Sequence, residues 1–176
     1  MTIKAIVLDI DGTLLNTGKI ISEKTKQALI AAQEKGIKVI LASGRPTTGM
    51  LELAEQLEMT KYEGFLVSYN GARVTDCLTK KVLFNQAMSI ETGQAILEHL
   101  KKFDVIPMID KEDYLYVNDV YSGMLDLPDG AFNIIEYEAR GGNFKLSEID
   151  DLAAFATFPI NKILIAAQPC LLYTSP

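Results

Sequence analysis

Apolar residues in the first half of the chain fall into short runs, and each run stops at a turn-forming stretch. Ile3 to Leu8, broken only by Lys4, is the first run; Val39 to Ala42 is the second and Phe65 to Val67 the third. Runs of this length between turn residues predict buried strands. After the first run, Asn16 to Ile21 reads as a loop or small hairpin. Ser22 then stands where it can cap a helix over about Glu23 to Lys35, with Gly36 at the C′ position. Ala28, Leu29 and Ala32 give that helix its apolar stripe. After the second run, Met50, Leu53, Ala54 and Leu57 recur at i, i+3, i+4 and i+7, one face of a second helix. Strand, helix, strand at this spacing is a βαβ unit, so the strands are expected to be parallel and the crossover right-handed. The fold class is α/β. Arg73-Val74 and Val82-Leu83-Phe84, separated by a polar turn, predict a hairpin leaving the sheet.

From about Ala87 the alternation changes. Ser89 is placed to cap a helix carrying Ile96, Leu97, Leu100 and Phe103. Short strand candidates follow at Val105 to Ile109 and Tyr114 to Val117, with charged residues between them. Asn133 to Tyr137 and Ile163 to Ala167 read as further strands, and Glu148 to Phe155 as a helix. Asn118 to Asn143 is otherwise unassigned. This is a meander and not a run of βαβ units, so a second, α+β domain is expected.

Composition narrows the function. The chain has 176 residues, 48% of them apolar, which is ample for a core, and a net charge of −6. With no Lys/Arg-rich block, a nucleic-acid surface is not expected. No apolar run approaches the length of a membrane span, and no long apolar stretch opens the chain, so neither membrane nor export is expected. Two cysteines, Cys77 and Cys170, make no disulfide framework, and a cytoplasmic location is the default. A single histidine, His99, excludes a multi-histidine zinc site. Oligomeric state is not written in these features.

The chemistry concentrates in Asp9-Ile10-Asp11-Gly12-Thr13, at the end of the first predicted strand. A buried strand does not end in two carboxylates without a reason, and parallel sheets bind ligands at the carboxyl ends of their strands. Residues i and i+2 face the same way, so both acids can lean over that edge. Two close carboxylates repel unless a cation sits between them. A few oxygen ligands suit Mg²⁺, which keeps several waters and pairs with substrate phosphate. One ionised aspartate would be a competent nucleophile, and the other could protonate a leaving oxygen and later activate water. Gly12 lets the backbone turn, and Thr13 offers a hydroxyl to the first acid or to a phosphate. Ser43-Gly44 ends the second strand and is expected to open a helix, whose free N–H groups would hold an anion. Arg45 either adds charge there or points into solvent.

Two other readings of the same stretch fail. An EF-hand loop would need Asp or Asn at Thr13, Gly at Leu14 and Glu at Ile20. A P-loop would need Ser or Thr at Ile20 and a four-residue gap between Gly12 and Gly18. Simple capping remains the alternative for Ser43, and a plain turn for Asn70-Gly71. His99, Asp110, Glu112, Asp113 and Asp119 read as surface residues, and Tyr114/Tyr116 as strand packing.

Asp9-Ile10-Asp11-Gly12-Thr13-Leu14-Leu15 resembles the first motif of the haloacid dehalogenase-like hydrolases. Leu41-Ala42-Ser43-Gly44-Arg45-Pro46 resembles the second motif in its Cof-type sugar phosphatase form, and Tyr69-Asn70-Gly71-Ala72 fits the same subfamily. The resemblance runs from Ile3 to about Ala167. It implies a Rossmann-like parallel core sheet with an inserted α+β (C2-type) cap. Residues 1–86 would be the N-terminal part of the catalytic core and 87–169 an incomplete cap. It implies Asp9 as nucleophile and Mg²⁺ ligand. Asp11 would be the general acid/base, binding Mg²⁺ through its carbonyl. It implies Ser43 as a phosphate ligand, with Gly12, Thr13, Gly44 and Arg45 around the phosphate. The substrate would be a small phosphorylated metabolite, hydrolysed through an aspartyl-phosphate. A phosphomutase of the same superfamily, or a non-catalytic metal- and phosphate-binding domain, are the alternatives. The resemblance also implies a later lysine and a later acidic metal-binding motif in the C-terminal part of the core, and neither is found here. Lys162 does not fit the lysine's place. The chain is accordingly expected to be truncated and inactive alone, with a bare apolar edge on its sheet. Residues 170–176 are expected to be a non-native tail.

Overall fold

The computed structural model describes residues 3–128 and 130–168. The expected tail, 170–176, lies outside the described residues, as do Pro169 and Cys170. The chain divides into two compact units, one ending at Gln86 and the other beginning at Ala87.

In the first unit, β1 (Ala5–Leu8), β2 (Lys38–Ala42) and β3 (Phe65–Ser68) pair in parallel, Leu8 opposite Leu41 and Leu41 opposite Leu66. β4 (Arg73–Asp76) and β5 (Val82–Asn85) extend the same sheet, antiparallel, in the order β1-β2-β3-β4-β5. The hairpin therefore does not leave the sheet. Its first strand turns back on β3 directly, because Tyr69 and Asn70 adopt left-handed backbone and reverse the chain within one turn. Between β1 and β2 runs α1 (Glu23–Glu34), and between β2 and β3 a short α2 (Leu51–Gln56).

Ser22 caps α1 as expected, its hydroxyl accepting from the Thr25 N–H at 3.2 Å. The buried stripe of α1 differs from the expected one. Leu29 and Gln33 are buried, while Ala28 is exposed. Gln33 tolerates burial because its amide donates to the Leu57 carbonyl at 2.8 Å, tying α1 to the end of α2. Met50, Leu53, Ala54 and Leu57 are all buried, and they pack with Leu29, Val39, Leu41 and Leu66 into one core. The first run reads as a buried strand, yet Val7 is 61% exposed. β1 pairs only with β2 among the described residues, so one of its edges and one of its faces are open.

The second unit is α+β. β6 (Ile106–Lys111) lies between β7 (Tyr114–Val117) and β11 (Ile163–Ala166), and β10 (Lys145–Glu148) flanks β7. A separate hairpin is formed by β8 (Met124–Leu127) and β9 (Gly130–Asn133). α3 (Ile90–Leu100) begins at Ser89, whose hydroxyl accepts from the Thr92 N–H. Leu97 of α3 packs with Ile109, Leu152 and Ile160 in one cluster; Met108, Leu115, Val117 and Ile135 form another. Two expectations fail here. Asn133 to Tyr137 is not a strand: β9 stops at Asn133 and α4 (Ile134–Gly142) starts at once. Glu148 to Phe155 is not one helix: Glu148 ends β10, and α5 covers only Leu152–Phe155 behind its cap Asp151.

Candidate active site

Ile10 organises the first motif. It is fully buried, so it anchors the chain in the core between two acids that both stay exposed. The backbone after β1 makes one wide turn, Ile10–Leu14, closed by Leu14 N–H to the Asp9 carbonyl at 3.1 Å and Leu15 N–H to the Ile10 carbonyl at 3.0 Å. Gly12 sits in that turn at φ +79°, where an L side chain would be strained. Thr13 is exposed on the same turn. The Asp9 carboxylate makes no capping hydrogen bond to the turn.

Ser43 and Gly44 follow β2. Leu8 pairs with Leu41, so Asp9 comes off β1 beside Ala42, the last residue of β2, and Ser43 comes next. The expected helix does not open here. Pro46 disfavours helical backbone at Arg45, and helical turns begin only at Thr48, before α2. The Ser43 hydroxyl accepts the Arg45 N–H at 3.2 Å, closing a tight local turn in place of a helix cap.

This loop is held from the third motif. The Tyr69 N–H donates to the Arg45 carbonyl at 3.0 Å, and the Asn70 N–H to the Ser43 carbonyl at 3.1 Å. The Thr47 and fully buried Ser68 hydroxyls share a hydrogen bond at 2.7 Å. A Cβ on Gly44 would stand 2.7 Å from the Asn70 Oδ1. Asn70-Gly71 is thus a turn, as its sequence says, and also the clamp on the loop that carries Ser43 and Arg45. Only its place at a strand end on the same edge hinted at this. Gly44→Ala should cost about 1 kcal/mol, the low end of overpacking, because a side-chain amide and not backbone must give way. Thermal unfolding should show the loss, and Asn70→Ala should recover much of it. Additive losses would mean that the two residues are not in contact.

Arg45 does not point into solvent. Its Nε donates to Asp11 Oδ2 at 2.9 Å and its Nη2 to Oδ1 at 2.6 Å, a two-point pair. Those bonds hold the Asp11 carboxyl below its ordinary pKa against the opposing effect of partial burial, and the charges of Arg45 and Lys19 add to the lowering. The described residues contain no group of three or more Asp, Glu, His or Cys placed to hold a metal. What they offer is the exposed Asp9 carboxylate, a hard oxygen donor of the kind that fits a Mg²⁺ retaining most of its water.

Comparison with known proteins agrees with these motifs. Residues 6–171 match the family described as haloacid dehalogenase-like hydrolase, and the chain belongs to that family. Among curated relatives, it is 39% identical over 74 residues to the 5-amino-6-(5-phospho-D-ribitylamino)uracil phosphatase YcsE of Bacillus subtilis (strain 168), covering 42% of this chain and 28% of that protein. It is 32% identical over 89 residues to the HMP-PP phosphatase of Cronobacter sakazakii, covering 51% of this chain and 31% of the relative. The crystal structure of a haloacid dehalogenase-like hydrolase from Bacteroides thetaiotaomicron superposes with a TM-score of 0.85 at 29% identity, over 98% of this chain and 61% of that one. The chain thus matches less than a third of the length of these two curated relatives. No described helix is long and apolar enough to cross a membrane.

Proposed function

We propose that this chain carries the nucleophile half of a cytoplasmic Mg²⁺-dependent phosphatase for a small phosphorylated metabolite. The observation that carries this reading is the pair Asp9 and Asp11, thrown out at the end of β1 by the buried Ile10, beside the Ser43 loop. The relatives named as phosphatases support it.

Asp9 attacks the phosphorus of the ester, and the P–O bond to the alcohol breaks as the aspartyl-phosphate forms. Asp11 is ionised on Arg45 in the free site and must take up a proton before it serves as the acid; protonated, it gives that proton to the departing oxygen. It then takes a proton from the water that attacks the aspartyl-phosphate, so phosphate leaves and both residues return to their starting state. Ser43 and the N–H groups of its loop orient the phosphoryl oxygens. Mg²⁺ would be held by the Asp9 carboxylate and the Asp11 carbonyl, and its charge would offset that of the phosphate.

The lysine and the later acidic ligands that the resemblance calls for are not in these residues, and groups that act as a unit are strongly non-additive. Residues 1–176 alone should therefore release negligible phosphate from sugar phosphates with Mg²⁺. The same chain joined to the C-terminal segment of the Bacteroides relative should release it readily. Equal turnover by the two would mean that the site is complete without that segment. No turnover by either would overturn the phosphatase reading.

A further inference from the structure

We propose that Arg45 is exchanged between two anions: in the free site it is clamped on the Asp11 carboxylate, and an entering phosphate draws it away. The proposal rests on reading the Asp9–Ser43 edge as a phosphate site. It adds that Asp11 and the phosphate compete for one guanidinium.

Four observations carry it. The pair is two-pointed, at 2.9 and 2.6 Å, and the planar fork that matches a carboxylate matches two phosphate oxygens equally well. The pair is open to water: the Arg45 side chain is 24% exposed and that of Asp11 58%. Asp11 would be left mostly in water when the pair separates, which keeps down the cost of parting it. The backbone of Arg45 is fixed by bonds that do not involve its guanidinium. Its N–H donates to the Ser43 hydroxyl and its carbonyl accepts from Tyr69. The loop therefore keeps its place whether or not the guanidinium stays on Asp11. Finally, Arg45 follows Ser43 by two residues on the loop beside Asp9, so a phosphate held at Asp9 and Ser43 would be a near neighbour of Arg45. Lys19 is a second cation whose charge reaches Asp11, so the carboxylate keeps a counter-charge when Arg45 departs.

The test uses the 176-residue chain and needs no turnover. Binding of inorganic phosphate is measured by calorimetric titration for the parent, Asp11→Asn, Arg45→Gln and the double variant. Circular dichroism checks that each is folded. Asp11→Asn removes the carboxylate that holds Arg45 and should tighten phosphate on the order of fivefold, the scale of an exposed ion pair. In the Arg45→Gln background the same change should matter less than twofold. Arg45→Lys, which keeps the charge but loses the fork, should bind phosphate with a reduced response to Asp11→Asn. Asp11→Ala serves as a second way to free Arg45 should the asparagine amide hold it. Equal tightening with and without Arg45 would show a simple field effect and overturn the exchange while leaving the phosphate site standing. No phosphate binding in any form would overturn the site as well.

Discussion

Replacing Asp9 by Asn should abolish phosphoenzyme formation and lower turnover by about 10⁴-fold or more, the scale seen when one member of a catalytic unit is lost. The reason is the identity of the attacking atom. A carboxylate oxygen carries the charge that a phosphorus centre needs from its attacker, and a side-chain amide does not. Folding should be untouched, because the Asp9 side chain makes no capping bond and is exposed, while the anchoring of this segment falls to Ile10. The measurement is acid-quenched capture of the phosphorylated protein, made on the chain extended by a relative's C-terminal segment, beside its Asp9→Asn form. Turnover within tenfold of the parent would move the nucleophile elsewhere.

Leu41→Ala should be the most destabilising simple substitution in the first unit. Leu41 is fully buried on the central strand of the parallel part, between Leu8 and Leu66, in the cluster that includes Leu53 and Leu57. Large-to-small changes at such positions cost about 2–5 kcal/mol, out of a total of roughly 5–15 kcal/mol for a typical domain. Val7→Ala, on the neighbouring strand but on the open face, should cost within about 0.5 kcal/mol. Urea unfolding followed by circular dichroism separates the two. Similar midpoints for both would mean that the helices do not pack on the Leu41 face.

The parallel part of the fold was legible because period and punctuation agreed there. Each strand ended at a turn signal, Ser22 capped, and the four apolar positions of the second helix fell on one face. In the second unit local preference and packing disagreed. Ile134-Ile135-Glu136-Tyr137 looks like a strand by residue type. It becomes a helix because Asn133 accepts from the Glu136 N–H at 3.0 Å and because Ile135, Ala139 and Gly142 are buried on one side. Nothing in the sequence marks Gln33 for burial; its partner, the Leu57 carbonyl, is brought to it by the fold. The same limit applies to the site. Asp9, Asp11 and Ser43 announce themselves by position at strand ends. The Asp11–Arg45 pair joins residues 34 apart in sequence, and the Gly44–Asn70 contact joins two motifs, so neither can be seen without the sheet that aligns them.

β1 has hydrogen-bonding neighbours on one side only among the described residues, and it leads directly into Asp9. A strand held along one edge opens more often than one held along both, so its amides should exchange with solvent deuterium sooner than those of β2. β2, held along both edges, should be protected for longer. The carboxylates are therefore mounted on the one parallel strand with an open edge among the described residues, and the Ser43 loop on a strand held along both. Anything that lays a further strand along β1 would slow its exchange and stiffen the nucleophile at the same time, with no contact to Asp9 itself.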